Sequence, residues 1–190
     1  MKKLLSLVFV VAAALIGLVA CEASQGTGSA PRTESTAASG SASGGAVLPV
    51  TKNPITSTGT KPGLALSETR VENNVDKATG KDLSDRLEFT IKNSSSEQVT
   101  GLEAYYTMTE TPTGKAESYY QKLEGLTIAP NQEATVYFDN QTQKGHYPEN
   151  KFSIYRNSAN EVKFSVEVSA PGFAVARGTA VKEKGLEGAD

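Results

Sequence analysis

The sequence predicts an all-β protein, an antiparallel β-sandwich of seven or eight short strands. Three observations carry this. Apolar residues recur at every second position through most of the last 120 or so residues. Clusters of Gly, Pro, Asn and Ser interrupt that alternation at short intervals. No stretch of a dozen residues shows a helical period. Leu64 and Leu66 begin the series. Leu87, Phe89 and Ile91 then alternate with Glu88, Thr90 and Lys92, and Leu102, Ala104, Tyr106 and Met108 with Glu103, Tyr105 and Thr107. Tyr119 and Tyr120 lie on a short candidate strand after the Thr113-Gly114 turn. Leu126 and Ile128 suggest another, followed by Val136 and Phe138, Phe152 and Ile154, and Val162, Phe164, Val166 and Val168. Phe173, Val175, Thr179 and Val181 close the series. Alternation with one solvated face is the mark of antiparallel strands. Turns are expected at Asn93-Ser94-Ser95-Ser96, Thr111-Pro112-Thr113-Gly114, Ala129-Pro130-Asn131-Gln132, Tyr147-Pro148-Glu149-Asn150, Asn157-Ser158-Ala159-Asn160 and Ala170-Pro171-Gly172.

The sandwich occupies only part of the 190 residues. Residues 1–20 hold a cationic start, Met1-Lys2-Lys3, and an apolar run from Leu4 to Ala20 broken only by Ser6 and Gly17. A run this short, with small residues at its end, reads as a secretory signal and not a spanning helix. From Glu22 to Ala46, 20 of 25 residues are Ser, Thr, Ala or Gly. Such a segment buries too little apolar surface to offset its ordering entropy, so residues 21–62 are expected to form a disordered tether. As a flexible coil it would span about 35 Å. Residues 63–182 hold 32 Val, Ile, Leu, Met, Phe and Tyr, enough for one core, and residues 183–190 form a polar tail.

Composition excludes several function classes. With 19 basic against 21 acidic side chains, phosphate neutralisation of nucleic acid is not expected. One cysteine excludes a disulfide framework, and one histidine excludes a multi-histidine metal site. From Gly63 onward there are 14 basic and 19 acidic residues, a net of −5. That field steers a basic partner towards the domain, and not anionic lipid headgroups or teichoic polymers.

Three further candidates concern chemistry. His146 sits in an expected loop with Asp139 seven residues upstream, where a carboxylate could orient an imidazole, yet no nucleophile elbow accompanies it. Glu88, Glu103 and Glu167 fall at outward positions and, without any tryptophan platform, do not mark a glycosidase pair. Asp76, Asp82 and Asp85 are weak calcium candidates; their spacing suits a long hairpin turn better. No catalytic residue, metal or cofactor is therefore expected. Tyr105, Tyr137 and Tyr155 take the parity opposite to their strands' core. With Tyr119 and Tyr120 they form a candidate partner surface, since tyrosine offers rigid amphipathic contact area. The alternative is a set of cross-strand pairs that stabilise a sheet and bind nothing.

Two resemblances add to this reading. Leu18-Val19-Ala20-Cys21 resembles the lipobox of bacterial lipoproteins, and the chain's one cysteine stands at its end. The resemblance implies cleavage after Leu18, Val19 and Ala20, a diacylglyceryl group on Cys21, and a protein held at the extracytoplasmic face of the cell membrane. Glu22, not Asp, follows the cysteine. In lipoproteins of some bacteria such tethers carry O-linked sugars, for which Thr33, Ser35 and Thr36 would be acceptors, though an unmodified spacer is the simpler expectation. Leu48-Pro49-Val50-Thr51 looks like a sortase signal, but Lys52 stands where glycine is required. The second resemblance runs from Phe89-Thr90-Ile91-Lys92-Asn93-Ser94-Ser95 to Leu126-Thr127-Ile128-Ala129-Pro130-Asn131-Gln132, and is to the immunoglobulin-like modules of envelope lipoproteins. It implies an immunoglobulin-like sandwich that binds an envelope protein or scaffolds a complex. A carrier holding a small molecule or glycan in a groove is the alternative, with an envelope hydrolase a distant third.

Overall fold

In a computed structural model, the chain divides at Ala38, and the second unit is Ser39–Asp190. The structure describes residues 47–71 and 87–185, all within the second unit. Among the described residues, eight strands and one short helix follow in order: β1 (Leu64–Val71), β2 (Leu87–Asn93), β3 (Glu103–Glu110), β4 (Ala116–Lys122), β5 (Glu133–Phe138), β6 (His146–Tyr147), α1 (Ile154–Asn157), β7 (Val162–Ser169) and β8 (Ala176–Lys182). They form two four-stranded sheets, β1-β2-β5-β6 and β4-β3-β7-β8. The protein is an all-β sandwich, as its alternation predicts.

The core follows that alternation closely. Phe89, Ile91, Val136 and Phe138 from one sheet meet Ala104, Tyr106, Met108, Phe164, Val166 and Val168 from the other, all buried. The contact that joins the sheets at one point is aromatic. The Phe138 ring meets the Tyr106 ring edge-on at 5.0 Å, and Tyr119 stacks on the far side of Tyr106 at 5.4 Å. Such offset and edge-on pairs each add about 0.5–1.5 kcal/mol beyond the area they bury.

Several elements depart from the alternation for identifiable reasons. Leu126 and Ile128 do not make a strand; Ile128 forms one bridge with Val99. Phe152 and Ile154 are not on a strand either. Ser153 stands at the start of a single helical turn, which buries Ile154 and Tyr155 and leaves Phe152 outside. β6 pairs with β5 in parallel, against the antiparallel expectation, because residues 139–145 loop back to lie beside its last residues, Tyr137 and Phe138. Asn140 and Gly145, both at positive φ, make that return possible.

β8 reverses the predicted parity. Thr179 and Val181 face outward, while Ala176, Ala180 and Lys182 face inward. β8 runs against β1, and a Cβ on Gly178 would lie 2.4 Å from the Thr69 hydroxyl. Ala176, Gly178 and Ala180 are the small residues that fit where β8 meets β1, so the inward row's apolar pattern is weak and the outward valine misleads.

Residues 47–62 also correct an expectation, since this end of the expected tether is fastened. Val50 N–H donates to the Ser118 carbonyl at the β4 edge, and the Asn53 amide donates to Glu167 on the outer face of β7. Farther on, Lys61 pairs with Phe173, its ammonium over that ring. The segment is a strap from the β4 edge across the sheet's outer face to β1. Gly59 is required there, because a Cβ would fall 2.4 Å from the backbone of Gly172 and Phe173. The rest of the tether, residues 21–46, lies outside the described residues.

Phe138→Ala should lower unfolding stability by about 3–5 kcal/mol. Urea denaturation with the slope unchanged would check this. A loss below about 1 kcal/mol would mean that Phe138 does not join the two sheets.

Candidate functional site

The chemistry-bearing side chains gather on the side of the sandwich that is open between β4 and β6. There the sheets do not meet, and residues 146–158 fill the gap. The His146 imidazole Nδ1 lies 2.8 and 3.0 Å from the two Asp139 carboxylate oxygens, and Tyr137 stacks on the ring at 4.7 Å. Asp139 is buried and His146 nearly so. The seven-residue spacing thus brings the two together, as the sequence allowed. This arrangement fixes the imidazole, but no hydroxyl among the described residues is hydrogen-bonded to it.

Glu149 lies deeper. Arg156 donates to its carboxylate at 2.6 Å, and the Glu149 backbone N–H donates to Asn140. Burial raises the Glu149 pKa, opposed by the Arg156 hydrogen bond and charge. Arg156 also lies over the Tyr155 ring. Beside this pair, Tyr119 donates its hydroxyl to Glu117 and accepts from the Asn150 amide, while Glu117 accepts from the Ile154 N–H. Burial pushes the Tyr119 phenol up to about 12. These groups seat the 149–157 segment against β4.

A second network holds the adjoining end. Glu110 accepts from Ser158, Thr113 and Asn160, and these hydrogen bonds lower its pKa to about 2. Lys182, which is 0% exposed, donates to the carbonyls of Ser158, Gly185 and Glu183 at 3.0, 2.7 and 3.3 Å. Its inward position was illegible in the sequence because a lysine ends an apolar strand there. The outward Glu88 was expected to be solvated; it is buried, paired with Arg70.

The five tyrosines do not make one surface. Tyr119 and Tyr155 are in the core, and Tyr137 lies on the β1-β2-β5-β6 sheet against His146. Tyr105 and Tyr120 do come together, directly opposite one another on the outer face of β3 and β4. Strand parity could not separate these cases, since Tyr155 sits on a helical turn and Tyr137 belongs to the other sheet. Next to the Tyr105–Tyr120 row, Ser118, Thr107, Ser165 and Thr179 stand in register across all four strands. Their neighbours are about 4.8 Å apart, as strand spacing dictates. Thr107 and Ser118 share a hydrogen bond of 2.9 Å. Beyond them a depression of about 370 Å³ is lined by Thr109, Lys163, Thr179 and Val181. Val181 is 43% exposed. The row was unreadable from sequence because it needs the register of four strands at once.

Cys21, its neighbours Leu18, Val19 and Ala20, and the calcium candidates Asp76, Asp82 and Asp85 lie outside the described residues. Among the described residues, no group of three His, Cys, Asp or Glu could hold a metal ion, and no helix is long and apolar enough to cross a membrane.

No family model matches this chain, and no curated protein matches it. A solved structure that it is similar to is the Pseudomonas fluorescens alkylpurine DNA glycosylase AlkC bound to DNA containing an abasic site analog. The two are 16% identical with a TM-score of 0.28, and the match covers 62% of this chain and 30% of the glycosylase chain. At that score the likeness carries no argument about either protein's activity.

Two measurements check the site. Arg156→Met should cost about 3–5 kcal/mol, because it strands the buried Glu149 carboxylate. The loss should shrink in acid, where Glu149, its pKa raised by burial, takes up a proton. A loss independent of pH would place the cost in packing and not in the pair. Glu110 behaves oppositely, since its folded pKa lies near 2, below the ordinary 4.5. Its contribution is complete above about pH 4.5 and is lost as pH falls towards 2. Urea midpoints of wild type and Glu110→Gln should therefore converge in that window.

Proposed function

We propose that this chain is a lipoprotein anchored through Cys21 at the extracytoplasmic face of the membrane, carrying an immunoglobulin-like module without catalytic function. Leu18, Val19 and Ala20 would direct cleavage before Cys21. The module docks an envelope protein on the outer face of the β4-β3-β7-β8 sheet, beside the 47–62 strap that crosses it at Glu167. The observation that carries the docking reading is the composition of that face. The Tyr105–Tyr120 pair, the four hydroxyls in register and the half-exposed Val181 offer rigid aromatic area, adaptable hydrogen bonding and an apolar contact together. The space between the sheets is filled by Phe89, Phe138, Tyr106 and their neighbours, which favours a surface partner over a ligand held in a groove.

Mass spectrometry of the protein from its native envelope should find an N-terminus at Cys21 carrying a diacylglyceryl group. Retention of residues 1–20 would refute the anchor. A photo-crosslinking residue at Thr107 or Ser165 should capture one envelope protein, while the same residue at Tyr137 should not. Equal capture from both sheets would remove the proposed face, and Thr107→Arg should abolish the specific product.

A further inference from the structure

The β4 edge carries a feature that the docking face does not use. Phe152 is 85% exposed and Leu48 is 71% exposed, the largest exposures among the exposed large apolar side chains of the described residues. Both segments are clamped to consecutive residues of one strand. Val50, two residues after Leu48, bonds to Ser118, and Ile154, two residues after Phe152, bonds to Glu117. Asn150 adds a bond to the Tyr119 hydroxyl and accepts from the Phe152 N–H itself. Phe152 is therefore held outward by a loop whose two ends are fastened. Its exposure is built in.

Charge is segregated around it. The carboxylates on this side are turned inward: Asp139 onto His146, Glu149 onto Arg156, and Glu117 onto Tyr119 and the Ile154 N–H, with Lys115 reaching its other oxygen. Lys144 and Lys151 are exposed on the loops either side of His146, and neither makes an ion pair among the described residues. The exposed Glu124 lies past the far end of β4, where its carbonyl meets the Tyr147 hydroxyl. The net charge of −5 argues against an anionic partner for the domain taken whole. Distances decide otherwise, since exposed charges beyond about 10 Å are largely screened at 0.1 M salt. Next to the exposed Phe152 stands the exposed Lys151.

We infer that this edge rests on the anionic surface of the membrane to which the chain is tethered, an orientation that depends on the lipid-anchor reading above. Phe152 and Leu48 enter the headgroup layer, and Lys151 lies over anionic headgroups. Where the preceding chain enters supports this occupant over another protein. The residues before Val47, which carry the expected anchor, join the sandwich at Leu48, on this edge. The outer face of the β4-β3-β7-β8 sheet then stands away from the lipid.

The chain contains no tryptophan, so Phe152→Trp is a sole reporter. The full lipidated chain carrying it is reconstituted into phosphatidylglycerol-containing vesicles with brominated acyl chains. The indole emission of Phe152→Trp should shift to the blue and be quenched, as should that of Leu48→Trp, while Val181→Trp should stay in water. Lys151→Glu should lower the membrane-resting population about fivefold or more, and 1 M salt should do likewise. If the Phe152→Trp indole remains water-exposed while the protein stays on the vesicles, this orientation is overturned and the anchor stands. A lipidation-competent chain that does not stay on vesicles overturns the anchor reading instead, and the orientation with it. Protection of that indole which requires an added envelope protein, and not lipid, assigns the edge to that protein and also overturns the inference.

Discussion

The edge-on contact between Tyr106 and Phe138 is the constraint on which the rest of the sandwich depends. These rings come from β3 and β5, the central parts of opposite sheets, and no backbone hydrogen bond links the two layers there. Tyr119, Phe89 and Tyr147 extend the contact on both sides, so one aromatic layer sets the sheet separation. Burial raises the Tyr106 phenol well above its ordinary range, with the Glu149 carboxylate adding to it. The core's aromatic layer therefore borders the polar side of the molecule directly.

The two lateral sides are closed by opposite means. Along β1 and β8 the sheets approach so closely that Gly178 stands against Thr69, and Ala176 and Ala180 are its inward neighbours. Along β4 and β6 they diverge, and the 146–158 segment fills the opening with Tyr147, Ile154 and Tyr155. A segment that plugs a gap must bring its own backbone polar groups inside, and these need partners. Glu117 and Asn140 supply two of them, and the Glu149 carboxylate that comes in with the segment is met by Arg156. The density of polar side chains on this side is thus a requirement of closure, and it also fixes what is displayed outside. Carboxylates turn inward to meet N–H groups and Arg156, leaving Lys144, Lys151 and Phe152 on the exterior.

This division of labour separates two surfaces. The β4-β3-β7-β8 face is regular because it follows strand register, and it presents tyrosine and hydroxyl groups in rows. The β4 edge is irregular because it is assembled from the strap and the plugging loop, and it presents apolar tips beside lysines. Under the lipid anchor proposed above, one would face the support and the other the partner. The Asp139–His146 pair fits this account as part of the closure, with Tyr137 covering the ring and the loop from β5 to β6 held in its return.

Much of the sandwich was legible in the sequence, because a strand with one face in the core must alternate. Phe89, Tyr106, Val136 and Val166 could be placed inward from parity alone. Composition also divides the sequence into an apolar stretch ending at Cys21, a Ser/Thr/Ala/Gly-rich stretch and a β-rich remainder, and the first two fall almost wholly outside the described residues. Parity failed where packing space, not hydrophobicity, chose the inward residue, as at Gly178, Ala180 and Lys182. It failed again where a helical turn replaced a strand, burying Tyr155 and exposing Phe152. The candidate surfaces lay beyond the sequence for a related reason. Tyr105 meets Tyr120 and misses Tyr137 because sheets are assembled from residues far apart in the chain, and register across four strands exists only once the two layers have packed.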